Sequence, residues 1–339
     1  MSKTVHKSTK SANSRAGLRR VYWATAGLAS GGVLLSMLFF HIARDAEINR
    51  VKAQFEDRAD HQISAVRRTL ESHEAVLNAL GSFVKTASDL DQDRFSAFVA
   101  PLVARVPGIQ ALEWVPRVPL EERLAFEDHA ASREFPHYRI SEYSPAGDLV
   151  SAAERAEYFP VWLAYPVAGN RKAVGFDLGS EANRSEAINR ALETDRATAT
   201  APIILVQDQL AQSAYLEFLP VWGAPSGNRV SQELKGFVLG VFRAEDVIIN
   251  SLRGQVDNPL PMSIKDLDAA ELPLIYGQTT ENASGDHPAR VLSLSVGGRP
   301  WQMRLTANPT VGKGAGFLPL VILCGGLALT AITGILLVV

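Results

Sequence analysis

Apolar residues crowd into two stretches that carry no charge, 21–43 and 314–339, and between them the polarity is mixed. At ~1.5 Å per residue either stretch, as a helix, exceeds the ~30 Å of a hydrocarbon layer. Two transmembrane helices are expected, with residues 44–313 held together on one side of the membrane.

Behind the first span the spacing becomes that of a long amphipathic helix. Over 44–84, Ile48, Val51, Phe55, Ala59, Ile63, Val66, Leu70, Leu77, Leu80 and Val84 recur mostly every three or four positions, while Glu47, Arg50, Lys52, Glu56, Arg67 and Arg68 fill other faces. Such a helix serves as a stalk and dimer seam, or its second half packs on its own domain. A shorter helix is expected over 91–104, where Phe95, Phe98, Val99 and Leu102 share a face and Pro107-Gly108 stops it.

The period then changes. Strands are expected over 109–118 and 138–143 with a helix over 121–132 between them, and 141–155 is polar enough to be a loop. Residues 158–164 and 173–178 read as strands joined by a turn at Gly169-Asn170, and Ser180 is placed to cap a helix of about fifteen residues with Ala187, Ile188, Ala191 and Leu192 on its buried face. Strands resume over 202–206, 214–221 and 234–243, the last so apolar that both its faces are covered. The repeated Pro160-Val161-Trp162 and Pro220-Val221-Trp222 suggest neighbouring strands. After a connecting helix over 244–254 come alternating runs over 291–296 and 301–306, with Gly297-Gly298 supplying the positive φ of a tight hairpin. The order gives an α+β fold of antiparallel sheets backed by helices.

Charge settles the expected orientation. Residues 1–20 hold Lys3, Lys7, Lys10, Arg15, Arg19 and Arg20 and no acid, so the amino terminus stays in the cytoplasm and the bracketed domain lies outside. A cleaved signal peptide begins similarly, but its apolar core is usually only ~7–15 residues. The single cysteine, Cys324, sits in the second apolar stretch, so the outer domain folds without disulfides. A bacterial inner membrane, with the domain in the periplasm, fits these features. A net charge of −2 gives no reason to expect nucleic acid. The seven histidines show no metal-ligand spacing, and there is no His-Glu-x-x-His and no Gly-x-Ser-x-Gly elbow. Neither a cofactor, a metal nor catalysis is expected.

Three runs carry a family likeness: PGIQALEWVPRVPLEERLAFE from residue 107, YFPVWLAYPVAGNRKAVGFDLGSEANRSEAINRALETD from residue 158, and SAYLEFLPVW with GFVLGVFRAEDVI from residues 213 and 236. With Pro160, Gly175-Phe176-Asp177, Arg184, Pro202, Pro220 and Gly236 in their spacing, they resemble a CHASE domain, the extracytoplasmic sensor module of bacterial and plant receptors. The resemblance spans roughly 75–310. It implies a stalk helix carrying two PAS-like antiparallel sheets in a homodimer. The expected organisation is a cytoplasmic tail (1–20), a first span (21–43), the stalk (44–84), a membrane-distal part (85–243), a membrane-proximal part (244–313) and a second span (314–339). Family members continue into a histidine kinase, diguanylate cyclase, phosphodiesterase or adenylyl cyclase. Here the chain stops inside its second span, so a fragment lacking that output half is expected.

The same resemblance points to a small-molecule ligand. In the family's plant cytokinin receptors the Asp that matches Asp177 hydrogen-bonds the hormone ring; the residue by itself also reads as a helix cap. Thr198, Ala199, Thr200 and Ala201 correspond to the strand lining that pocket, with Leu205, Leu216 and Phe218 as its apolar wall, whereas each taken singly reads as sheet core. Trp114, Trp162 and Trp222 either stack on a planar ligand or pack. Arg123, Arg184 and Arg243 either hold an anion or pair with Glu121, Glu122, Glu186 and Glu245. The expected partners are a small molecule, the membrane and a second copy of the chain. The competing readings are a double-Cache type of sensor and an anchored interaction module without a small ligand.

Overall fold

The elements of the computed structural model are, in chain order, α1 (Thr9–Thr86), α2 (Gln92–Arg105), β1 (Ile109–Pro116), β2 (Val118–Pro119), α3 (Arg123–Arg133), β3 (Ser141–Tyr143), β4 (Leu149–Ser151), β5 (Glu157–Tyr158) and β6 (Leu163–Tyr165). There follow the irregular turn α4 (Val167–Asn170), α5 (Ala182–Thr194), β7 (Thr198–Ala199), β8 (Ile203–Ile204), β9 (Ser213–Trp222), β10 (Leu234–Arg243) and α6 (Ala244–Leu252). The chain closes with β11 (Met262–Asp266), β12 (Leu274–Tyr276), β13 (Ala289–Val296), β14 (Arg299–Thr306) and α7 (Phe317–Val338). The described residues are 9–87, 89–133, 135–204, 213–223, 233–254, 256–270, 273–278, 288–307 and 317–338. The fold is α+β, and it divides into two compact units, 1–57 with 307–339, and 58–306.

The first unit holds the start of α1 and all of α7, both long and apolar enough to cross a membrane. Gly32 lies against Thr330 and Gly326 against Ser36, so closely that a Cβ on either glycine would collide. Glycines at these points let the backbone of each helix seat the small side chain of the other.

In the second unit α1 serves as the backing of a sheet. Val76, Leu77, Leu80 and Val84 pack with Phe95 and Val99 of α2 onto Leu112, Trp114, Leu163, Val221 and Val238. Of the two readings of the stalk's second half, packing on its own domain is the one observed. Gln62 of α1 also grips the segment before β11, donating from Nε2 to the Leu260 carbonyl (3.1 Å) and accepting the Leu260 amide at Oε1 (2.9 Å).

The larger sheet runs β6-β1-β10-β9-β7, with β8 also on β9, and its pairs are antiparallel. Strand β10 is covered on both faces as its unbroken apolar run predicts, with Val238 towards α1 and Phe237, Leu239 and Val241 in the opposite core. The smaller sheet runs β12-β11-β14-β13. Gly297 and Gly298, at φ of 51° and 74°, make the tight turn between β13 and β14. The Gly297 carbonyl accepts the amide of Ala199 at 2.9 Å, joining this turn to β7 of the larger sheet.

Several local expectations are corrected. The two Pro-Val-Trp repeats are not on neighbouring strands: β1 and β10 lie between β6 and β9. Residues 173–178 form turns with isolated bridges at Phe176 and Asp177 rather than a strand, because Gly175 takes a φ of 86°. Residues 141–155 contain the β3-β4 hairpin, whose second strand is fully exposed and so lacks the alternation that marks a strand in sequence. Helix α5 is capped by Glu181, one residue beyond Ser180; its carboxylate accepts the amides of Asn183 and Arg184.

Candidate functional site

One acid stands inside the core on the face of the larger sheet opposite α1. Strand alternation sends Leu112 and Trp114 towards α1, and Ala111, Glu113 and Val115 to the other side. Glu113 is fixed at the centre of the sheet, opposite Leu239 of β10 and Ala164 of β6. Above it lie the 166–178 loop and the first turn of α5.

Between that cover and the sheet is a cavity of about 60 Å³. Glu113 and Arg184 are its charged interior groups, Val161, Phe176, Leu216 and Leu239 are among its apolar walls, and the exposed Lys172 and Tyr143 belong to its rim. The loop reaches this position because Gly175 is a glycine: a Cβ there would strike the carbonyl of Arg139.

The two interior charges are incompletely matched. Glu113 is 3% exposed, and burial pushes its carboxyl up to about 7, the positive charge of Arg184 opposing the rise. The ion-pair partner of Arg184 is Glu181, 3.3 Å from Nη1, and its guanidinium lies 5.3 Å from the centre of the Phe176 ring. Its Nε is buried without a hydrogen-bond partner, and burial pulls its pKa down. Among the described residues, no group of three or more His, Cys, Asp or Glu is placed to hold a metal ion.

Because the folded pKa of Glu113 lies above its unfolded value, its contribution favours the fold fully below the unfolded pKa and is lost as pH rises through about 7. At ~1.36 kcal/mol per unit, the loss between pH 5 and pH 8 is about 2–3 kcal/mol. Chemical denaturation of Glu113→Gln at those two pH values is expected to show a decline smaller than the wild type's by about this amount. An identical decline would show that Glu113 is not held protonated by burial. Two other buried groups, Glu217 (raised to about 8 by burial and then by Glu74) and His73 (lowered to about 4 by burial), titrate in both proteins and cancel in the comparison.

Of the site residues expected from sequence, Leu216 lines this cavity. Asp177 is fully buried beside it but turned into the protein: Oδ1 accepts the amides of Phe159 (2.8 Å) and Gly179 (3.1 Å), and Oδ2 accepts from Arg155 at 2.5 Å. Arg155 in turn reaches Glu142 at 2.6 Å. Thr200 holds Leu216 by exchange, its Oγ1 accepting the Leu216 amide and its amide donating to the Leu216 carbonyl. Phe218 packs edge-on against Phe237 in the core, Ala199 bears the contact to Gly297, and Ala201 is half-buried in a bend. Thr198 borders a different cleft of about 620 Å³, shared with Glu217, Glu74 and Arg190. Leu205 lies outside the described residues.

The three tryptophans also lie away from the cavity. Trp114 packs towards α1, Trp162 lies against Phe126 and His129, and Trp222 donates to Asp195 at 2.6 Å. Arg123 pairs with Glu127 rather than Glu121 or Glu122, and Arg243 stands 3.9 Å from Asp246. Sequence reasoning passed over Glu113, although a lone acid in the otherwise apolar ALEWV was a visible signal.

Comparison with known proteins places these features. The CHASE domain family model matches residues 88–276. Hybrid signal transduction histidine kinase A of Dictyostelium discoideum is 23% identical over 326 residues, 85% of this chain. The chain spans only 15% of the length of that relative. The ligand-binding domain of the Pseudomonas aeruginosa PAO1 amino acid chemoreceptor PctB, solved with L-Arg, aligns with a TM-score of 0.40 at 9% identity, covering 77% of this chain and 96% of its own. With the family match extending over more than half its length, the chain belongs to the CHASE domain family, whose members are sensory rather than catalytic modules.

Proposed function

We propose that the chain is the extracytoplasmic sensing part of a membrane receptor, which binds a small molecule in the cavity between Glu113 and Arg184. The observation that carries this reading is the pair itself. A core acid and a half-buried arginine whose buried Nε has no partner are expensive to keep when they do not satisfy each other, and such groups in a cleft mark functional sites. In this reading Leu216 touches the ligand, whereas Asp177 and Thr200 hold the cavity's walls in place.

The route outward runs through β9 to β7 and from the Ala199 amide to the Gly297 turn, after which β14 leads along the chain to α7. A ligand that favours one arrangement of that turn biases signalling by its differential affinity, typically ~1–3 kcal/mol. The apolar parts of α1 and α7 span a bacterial inner membrane, the 58–306 unit stands in the periplasm with PAS-like sheets, and two copies work as a homodimer. The output half is a cytoplasmic kinase or cyclic-nucleotide enzyme beyond this chain.

Ala173 lines the cavity from its half-buried cover, so Ala173→Leu fills the space by a change in the cover and leaves the residues of the sheet as they are. Thermal unfolding of the full chain in detergent, screened against a broad panel of small metabolites, is expected to yield a compound that raises Tm for the wild type and leaves Ala173→Leu unmoved. An equal rise in the variant, or no responsive compound, would remove this cavity as the sensing site.

A further inference from the structure

Resting on the proposed cavity, we infer that its ligand is a small zwitterion of the amino-acid type, with its cationic N–H end on Glu113, its anionic end on Arg184 and a short apolar group against Val161, Phe176, Leu216 and Leu239.

The argument is one of matching. Glu113 offers acceptor oxygens, and Arg184 offers an N–H at Nε that nothing in the protein takes up. Charge-assisted bonds of this kind are about twice as strong as neutral ones, and a buried group left without its bond costs about 1–3 kcal/mol. An amine alone answers Glu113 and leaves Nε unmatched. A monocarboxylate answers Arg184 but requires Glu113 to be protonated. An apolar molecule leaves both unmatched. Only a molecule carrying both charges completes both and enters with no net charge. The volume of about 60 Å³ limits the ligand to a few heavy atoms unless the 166–178 cover moves.

The pH dependence separates these classes. The charged and titratable groups around Glu113 are Arg184 from α5, with Glu181 paired to it, Tyr143 from β3 and Lys172 from the cover. Burial holds the Glu113 carboxyl near 7. A zwitterion therefore binds more tightly as pH rises from 6 to 8 and Glu113 ionises, whereas a monocarboxylate binds less tightly over the same range.

The test is titration calorimetry on the full chain in detergent at pH 6 and pH 8. The probes are glycine, L-alanine and L-valine, with acetate and isobutyrate as acids and methylamine and isobutylamine as amines. The expected result is that at least one amino acid binds, more tightly at pH 8. Its affinity falls at least tenfold in Glu113→Gln and in Arg184→Gln, both with wild-type circular dichroism. If an acid or amine binds as well as any amino acid and Ala173→Leu abolishes it, the ligand class is wrong and the site stands. If amino-acid binding is undiminished in Glu113→Gln, Arg184→Gln and Ala173→Leu, the cavity itself is the wrong site. Absence of binding by all three amino acids overturns the zwitterion alone, because the metabolite panel tests the cavity separately.

Discussion

Arg299→Ala is expected to lower the unfolding free energy of the 58–306 unit by about 3–5 kcal/mol, the usual cost of removing one partner of a buried ion pair. Arg299 is 3% exposed and Asp266 fully buried, and the guanidinium Nε meets Oδ2 at 2.5 Å. The other oxygen of Asp266 accepts the amide of Asp268 at 2.9 Å, and its own amide donates to the Pro273 carbonyl. Without Arg299 this carboxylate is left in the core with one backbone amide as its match. Because Arg299 immediately follows the Gly297-Gly298 turn, the loss falls on the hairpin proposed above to carry the signal. Urea unfolding measures it, and replacing both partners by apolar residues should recover most of the stability. A loss below about 1 kcal/mol would mean that the pair is reached by water and does not hold the hairpin.

Asp177→Ala carries the second large effect, about 2–4 kcal/mol by the same measurement. The substitution strips a buried amide at Phe159 of its acceptor, uncaps the short turn at Leu178–Ser180 and frees Arg155 from the cover of the cavity. The lower end of the range reflects Arg155, which is 31% exposed and retains Glu142. If Asp177 positions the cover, this variant loses stability and ligand affinity together, whereas Ala173→Leu loses affinity alone. An Asp177→Ala protein of unchanged stability that no longer binds ligand would instead make Asp177 the direct contact.

What the sequence revealed was what is decided locally. Charge-free stretches of sufficient length gave the two apolar helices. The unbroken run of β10 announced burial on both faces, and the Gly-Gly pair required positive φ whatever surrounded it. Pairing across the sheet is not local. The first Pro-Val-Trp leads into β6 and the second ends β9, yet β1 and β10 separate them. The cap of α5 moved by one residue because Ser180 and Glu181 are both competent acceptors, and the Ser180 hydroxyl instead donates to the Asp177 carbonyl. Asp177 drew attention as a carboxylate at the end of an apolar segment, but only folding shows its lone pairs already taken by Arg155, Phe159 and Gly179. Glu113 was conspicuous as a charge in an apolar strand. That it shares a cavity with Arg184 depends on α5 folding back across the sheet, which strand periodicity does not encode.

The most direct test of ligand sensing in the Glu113–Arg184 cavity is titration calorimetry of the full chain in lipid nanodiscs with the compound of largest thermal shift, wild type beside Ala173→Leu. The account predicts saturable binding at one site per chain in the wild type and none in the variant, whose Tm without ligand is unchanged. Equal affinity in the two proteins would contradict it.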